Sequence, residues 1–384
     1  MMQRLGDYIR PVDVRNRDLK VTRLMGINIE KQFMTSVANV VGTDLSNYKV
    51  VTKGQFACNL MHVGRDEKIP VALQKDDEPI IVSPAYVLFE VVDTNVLLTE
   101  YLMMWFSRSE FDRNAWFYTD GDVRGGMDRN ALFDMTIPVP DIKEQRNIVA
   151  EYNTLATRIE TNKKLIATLE QTAQTLYRHT FVDNIDLGNL PEGWRMGTLG
   201  DYATVKSGFA FKSDWWKGKG LPVIKIGNIA DNTIDFSTCD CVDDVHLNEA
   251  QKSIAKAGSI VIAMTGATLG KIALVPECKK TVLVNQRVGL FDLGENPQSK
   301  APFLYYLLQQ DDVQAEILSV GGDSAQANVS NADIEKIKVA YPSKEVLDSF
   351  NQRCGTILKS FCIYKQENQT LTQMQTLLLS KMGA

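Results

Sequence analysis

The chain has 384 residues, 42 Lys and Arg against 47 Asp and Glu, a formal charge of −5, 44% hydrophobic residues and 23% charged residues. Those are the values of a folded globular protein, long enough for two domains plus connectors. The balance argues against a protein that coats nucleic acid indiscriminately, and the three scattered histidines (His62, His179, His246) argue against a histidine-rich metal site.

No apolar run reaches the roughly 18 residues needed to span a bilayer, so no membrane partner is expected. The start, MMQRLGDYIR, has no apolar signal region, and the six cysteines include no CxxC pair. A cytoplasmic protein with free thiols is expected.

In chain order, LGDY at Leu5 to Tyr8 is followed by Arg10, Arg15, Arg17, Lys20 and Arg23 against Asp13 and Asp18 alone, a local net charge of +3. Short apolar runs broken by Gly, Asn and Asp continue to Pro140 and read as strands with some helix. The pattern then changes. Leu155, Ile159, Asn162, Ile166, Leu169, Ala173, Leu176 and Thr180 alternate steps of four and three, with no Gly or Pro from Lys143 to Thr180, which predicts a long heptad helix.

LGDY returns at Leu199 to Tyr202. Around it Arg195, Lys206, Lys212, Lys217, Lys219 and Lys225 oppose Asp201 and Asp214, a net of +4 with Trp215-Trp216 in their midst. The acid lies beyond, at Asp231, Asp235, Asp240, Asp243, Asp244 and Glu249. Strand-like runs follow, and then a second heptad series: Ile357, Phe361, Tyr364, Asn368, Leu371, Gln375, Leu378 and Met382.

The two halves are one unit written twice. At an offset of 202, VSPAYVLFEV (Val82 to Val91) lies over VNQRVGLFDL (Val284 to Leu293), Tyr101-Leu102 over Phe303-Leu304, and MTIPVP ending at Pro140 over IKVAYP ending at Pro342. Asn130-Ala131 falls one residue out of step with Asn331-Ala332. The LGDY pair sits at an offset of 194. Repetition on this scale outweighs any single motif.

The expected fold is α+β: two similar globules separated by two long helices that form an antiparallel coiled coil, as a pseudo-two-fold internal repeat. The boundaries are 1–140 for the first globule, 141–189 for the central helix and linker, 190–341 for the second globule and 342–384 for the C-terminal helix. The other reading is two amphipathic helices, each packed on its own globule. Asn162 and Asn368, the lone polar members of the two stripes, fall at different levels, as register-setting residues would. A forty-residue helix is about 60 Å long. Two similar globules at the ends of such a rod resemble a DNA-reading dimer fused into one chain.

Catalytic motifs fail on inspection. MTGATLGKI (Met264 to Ile272) has only three residues between Gly266 and Gly270, and Ile272 stands where a phosphate-binding loop needs Ser or Thr. Glu277-Cys278-Lys279 has no partner acid that can be placed for a nuclease. There is no Asn-Pro-Pro-aromatic or Asp-Pro-Pro-aromatic stretch, and three scattered histidines assemble no nucleophilic triad. No catalytic residue and no metal site is assigned.

At this point a family becomes recognisable. PVPDIKEQRNIV (Pro138 to Val149) resembles the P-x-x-EQ-x-x-I hinge of the specificity subunits of type I restriction–modification systems. LPEGWRMGTLGDYATVKSGFAF (Leu190 to Phe211) is similar to the opening of their target-recognition domains. AGSIVIAMTGATLGKIAL (Ala257 to Leu274) and VNQRVGLF (Val284 to Phe291) resemble further strands of those domains. Two departures stand out. The first copy starts almost at LGDY with no LPEGW-like leader, which reads as a trimmed edge. The second hinge, PSKEVLDSF, has Glu345 followed by Val346 where the family has glutamine.

The resemblance implies a non-catalytic subunit that binds double-stranded DNA with a bipartite target. Each globule would read one half, and the helical rod would set the spacer. Two methyltransferase subunits would dock along the helices, and motor–nuclease subunits would join for cleavage. S-adenosylmethionine, ATP and Mg would be held by those partners, and no cofactor by this chain.

Candidate DNA contacts are polar residues on the loops, because Arg, Lys, Asn and Gln reach base edges and phosphates. In the first globule these are Arg10, Arg15, Arg17, Arg23, Asn59, Arg65 and Arg124. In the second they are Lys206, Lys212, Lys225, Asn228, Thr265, Lys271, Gln286 and Arg287. The helix seam and partner surface are assigned to Glu144, Gln145, Leu155, Ile159, Ile166, Leu169, Leu176, Ile357, Phe361, Leu371 and Leu378. The competing reading is a coiled-coil scaffold with two protein-binding globules; the duplicated basic segments disfavour it.

Overall fold

The computed structural model describes residues 2–36, 42–61, 63–119, 125–183, 185–230, 232–321 and 328–383. The chain divides into two compact units, Met1–Thr157 with Leu371–Ala384, and Arg158–Thr370. The two long helices, Ile142–Phe181 and Lys344–Lys381, are therefore not segments apart: each unit takes a stretch of both.

In the first unit the strand Met2–Arg4 pairs antiparallel with Thr136–Pro138. Between them lies a four-stranded sheet in the order Ile9–Val12, Val87–Val91, Gln55–Cys58, Val71–Leu73. Each carries Val, Ile or Phe, residues that suit a pleated, half-buried surface. On one face Phe56 stacks on Phe89 at 5.0 Å, and Phe106 meets both edge-on. The helices Thr99–Phe106, Ser109–Phe117 and Arg129–Asp134 complete this core, joined by Ile148, Val149 and Tyr152 of one long helix and Leu378, Leu379 and Met382 of the other.

The second unit repeats the plan. Arg195–Thr198 pairs with Lys338–Tyr341. Its main sheet runs Val205–Ser207, Val288–Phe291, Ile260–Ala263, Ile272–Leu274, then the hairpin strands Thr233–Ile234 and Ile229–Ala230; in the first unit the hairpin of Met25–Ile27 and Phe33–Thr35 forms a separate two-stranded sheet. Helices Ala301–Leu307, Asp311–Val320 and Asn331–Glu335 stand 202 residues after their counterparts. Here the core is built on Phe303, Leu304, Tyr305 and Tyr306, with Tyr177 and Phe181 of one long helix and Phe350, Leu358 and Phe361 of the other.

The repeat holds at the level of single hydrogen bonds. Leu5 N donates to Met135 O and Leu199 N to Ile337 O, each at 2.8 Å, so both LGDY segments open a short helical turn docked at the same place. The one-residue slip of Asn-Ala is not structural. Asp128 and Ser330, 202 apart, cap the helices that follow by accepting from Asn130 N and Asp333 N.

Within the second unit the long helices run antiparallel, Asn162 lying beside Asn368 while Tyr177 packs on Phe350. Ile166 and Phe361 of the expected seam are buried; Ile159, Leu169, Leu176 and Ile357 are half-buried there, as are Leu155, Leu371 and Leu378 in the first unit. The stripes drift toward the globular core, so that Tyr177, Phe181 and Leu358 are buried beside the expected positions. Asn162 and Asn368 were expected at different levels. They meet at one, Asn162 Nδ2 donating to Asn368 Oδ1 at 3.0 Å.

Candidate nucleic-acid interface

In each unit two neighbouring antiparallel strands of the main sheet are joined by a finger loop. In the first unit it comprises residues 59–70, between Gln55–Cys58 and Val71–Leu73; in the second it comprises 264–271, between Ile260–Ala263 and Ile272–Leu274. Both fingers are rooted alike: Met127 N donates to Leu60 O at 2.9 Å, and Val329 N to Met264 O at 3.1 Å. The shorter finger turns on Gly266 and Gly270, whose φ of 71° and 81° lie in the left-handed region that favours glycine.

Around the second finger several strand ends converge. Asn285 N donates to Ile224 O, Gln286 N to Phe209 O, Phe209 N to Val284 O, and Met264 N to Arg287 O, at 2.8–3.1 Å. The turn Asn285–Arg287 thus lies beside the ends of Val205–Ser207, Leu221–Ile224 and Ile260–Ala263. Lys225, Thr265, Lys271, Gln286 and Arg287 come together on these ends, with Lys271 at the other foot of the finger.

Lys212 is close by, its Nζ 5.1 Å from the Trp215 ring, which stacks on Phe209. Lys225 pairs with Asp240 at 2.5 Å and sits 3.6 Å over Trp216. Lys271, Gln286 and Arg287 are exposed, and the two cations form no ion pair with described residues. Asn228 does a structural job, holding Thr238 and the Lys225 amide. Lys206 lies further along its strand, tied to Asp292 at 2.5 Å.

The first unit holds its cations differently. Arg10 binds Glu90, Arg15 binds Asp13 and the Asn47 carbonyl, Arg17 the Asn47 side chain, and Arg65 its neighbour Asp66. Arg23 sits 3.5 Å from Glu78 and lines a cavity of about 690 Å³. The +3 segment of the sequence is therefore largely neutralised in space by acids remote in the chain. Asn59 turns the foot of the finger through the Met61 amide. Arg124 lies outside the described residues.

Glu144 is exposed on the first turn of its helix, but Gln145 is fully buried. Gln145 donates to the carbonyls of Val96 and Pro140 at 2.8 Å and accepts from Leu98 N at 2.9 Å. It braces the first unit internally and presents nothing to a partner, which corrects its assignment to a partner surface. In the second unit Val346 packs against the core, and the brace comes from Asn351, which accepts from Phe303 N and donates to Tyr202 Oη.

Sequence reasoning missed how the aromatic residues organise the second site. Phe209, Phe211, Trp215, Trp216 and His246 stack as one cluster beneath Lys212 and Lys225. The run F-A-F-K-S-D-W-W was the available signal. Among the described residues no group of acids, cysteines and histidines could hold a metal ion, and no helix is long and apolar enough to cross a membrane.

Comparison with known proteins agrees with this layout. The family profile described as the type I restriction modification DNA specificity domain matches residues 191–374. The chain is 21% identical to the HindI specificity subunit of Haemophilus influenzae, over 98% of this chain and 97% of that one. It is 23% identical to the MjaVIII specificity subunit of Methanocaldococcus jannaschii, over 66% of this chain and 62% of the relative's own length. In three dimensions it superposes on the S subunit of a type I system from M. genitalium with a TM-score of 0.64 at 17% identity, covering 100% of this chain and 95% of that one. A duplicated globule with two finger loops is found together with a specificity-domain profile over residues 191–374 and full-length sequence likeness to a type I specificity subunit: the chain is similar to the DNA specificity subunits of type I restriction–modification systems.

Proposed function

We propose that each unit reads one half of a bipartite duplex target, that the paired helices set the unread gap, and that the chain itself catalyses nothing. The carrying observation is a scaffold repeated down to equivalent backbone bonds, Leu5 N to Met135 O and Leu199 N to Ile337 O among them, whose finger loops and strand ends bear different polar side chains. That is what two half-sites of different sequence require. The base and phosphate contacts of the second unit are Lys212, Lys225, Thr265, Lys271, Gln286 and Arg287. Those of the first are Asn59, Arg65, Arg15 and Arg17, with Arg10, Arg23, Lys206 and Asn228 supporting the loops behind them.

Methyltransferase subunits dock along the helices and hold S-adenosylmethionine, and motor–nuclease subunits using ATP and Mg complete the complex in the cytoplasm. The purified chain then binds duplex without methylating or cutting it, and methylation appears when the methyltransferase partner is added. Turnover by the chain alone would overturn this reading.

The helical spacer has its own test. Inserting one heptad into each helix, between Thr157 and Arg158 and between Thr370 and Leu371, adds about 10 Å, or about three base pairs. Sequencing of methylated sites is expected to show the same half-sequences with a gap longer by about that amount. An unchanged gap would remove the helices as its determinant.

A further inference from the structure

Asn162 and Asn368 occupy seam positions where leucine would pack. Asn162 is fully buried; its Nδ2 donates to Asn368 Oδ1 at 3.0 Å and to Glu367 Oε2 at 2.8 Å, while its own Oδ1 has no partner among the described residues. Arg158 grips both oxygens of Glu367, at 2.9 and 3.0 Å. A buried amide with one oxygen unsatisfied destabilises the pair relative to two leucines. In exchange it gives selectivity: the two amides and the carboxylate meet in one axial register and one rotational phase, whereas leucines pack acceptably in several.

The position of this layer matters. The last fully buried apolar side chains that the two helices contribute to the second unit on this side are Ile166 and Phe361. Asn162 and Asn368 lie beyond them, next to Gln366, whose Nε2 donates to the Glu277 carbonyl of the globule at 2.8 Å. Their first neighbours outward, Ile159 and Leu371, are only half-buried.

We propose that the Asn162–Asn368 layer, bracketed by Arg158–Glu367, is a specificity determinant: it locks the register and phase of the helix pair so that the chain accepts a single gap length between half-sites. The proposal rests on the helices being the spacer. Asn162 and Asn368 act as positioning residues at a distance from DNA.

The test begins by defining the wild-type motif from methylated sites. Purified wild-type chain and the double variant Asn162→Leu/Asn368→Leu are then titrated with duplexes carrying the cognate gap or a gap changed by one base pair in either direction. Wild type is expected to prefer the cognate gap by at least tenfold. The double variant is expected to bind the cognate duplex as well as wild type and to melt at the same or a higher temperature, while its preference falls below threefold. A merely structural role would move stability and leave the preference intact.

Retention of the preference within twofold overturns the proposal. If the double variant does not accumulate, Asn162→Ala, which removes both donations without added bulk, is read in the same assay with the same criteria. The heptad insertion separates the two levels. If the insertion changes the gap and the leucine pair leaves the preference intact, the spacer reading stands and the lock falls. If the insertion leaves the gap unchanged, both fall.

Discussion

The two units solve one local problem with different chemistry. Each must tie the exit of its finger loop, and the last carbonyl of the helix that follows the sheet, to the next helix. In the second unit Gln314 does this alone, donating from Nε2 to Gly270 O at 3.2 Å and to Leu308 O at 2.5 Å. In the first unit the equivalent residue, 202 earlier, is Asp112. It accepts from Ile69 N at 3.1 Å and cannot donate, so Lys31 supplies the missing donor. Lys31 reaches in from the turn between Met25–Ile27 and Phe33–Thr35, binding Asp112 at 2.7 Å and the Phe106 carbonyl. Burial depresses the proton affinity of Lys31, and Asp112 opposes that shift. One neutral amide in one copy is matched by a buried ion pair in the other: the bonds are what the scaffold requires, and the residues that supply them are free to differ.

The sharpest way to break this equivalence gives the largest expected effect. Lys31→Met alone leaves Asp112 charged and enclosed, which is expected to destabilise the first unit by about 3–5 kcal/mol. Lys31→Met with Asp112→Gln transplants the second unit's solution and is expected to restore stability to within about 1 kcal/mol of wild type. Chemical denaturation of the three proteins checks this. A double variant no more stable than the single would show that the two arrangements are not interchangeable.

Next in size are the helix braces. Gln145→Ala removes the partner of Leu98 N and of the half-buried Val96 and Pro140 carbonyl bonds, and Asn351→Ala strands the buried Phe303 N. Losses of about 2–3 and about 1–2 kcal/mol are expected in the respective units. Equal losses would mean that the count of stranded groups does not govern the cost.

DNA binding should separate the units as well. Lys271→Ala and Arg287→Ala each remove a cation without an acid partner among the described residues, and each should reduce the log–log salt slope by about 0.9 if it meets a phosphate. Arg10→Ala, already engaged by Glu90, is expected to change the slope by less than half as much. A larger slope change for Arg10 than for Arg287 would reverse the ranking.

The smallest effect concerns acid. Glu90 and Asp292 are equivalent positions, and both carboxyls sit below their ordinary range, Glu90 through Gln55 and Arg10, Asp292 chiefly through Lys206. A depressed carboxyl stabilises the fold above its unfolded pKa, roughly 4, and that stabilisation is lost as pH falls through the folded value. Glu90→Gln and Asp292→Asn should therefore cost about 0.2–1 kcal/mol at pH 7 and nothing measurable near pH 2. Thermal melts at both pH values read the difference.

Much of the scaffold was legible because apolar spacing records it. Leu88-Phe89 against Leu290-Phe291 gave the repeat, and the heptad series gave both long helices. The polar chemistry was not legible in the same way. Glu90 and Glu78, far along the chain, neutralise Arg10 and Arg23, and no count within residues 10–23 can register them. Gln145 read as a partner contact because it stands in the Glu-Gln of the hinge motif, yet its amide closes onto Val96 and Leu98. Asn162 and Asn368 looked unmatched because helix spacing says nothing about which levels of two antiparallel stretches coincide. In the candidate interface, Gln286 and Arg287 could be named from the sequence. Their meeting with Thr265 and Lys225 depends on strand order.

The fingers differ in length, 59–70 against 264–271, yet begin on the same backbone bond and end beside the same helix. Between the two anchors Leu60, Val63 and Ile69 of the first finger and Leu269 of the second are buried in the cores of their units, so the exposed finger positions are the ones free to change. Those positions behave as a cassette. Under the proposed function, exchanging those exposed positions together with strand-end residues such as Lys225, Gln286 and Arg287 would change one half-target while the other unit kept its own.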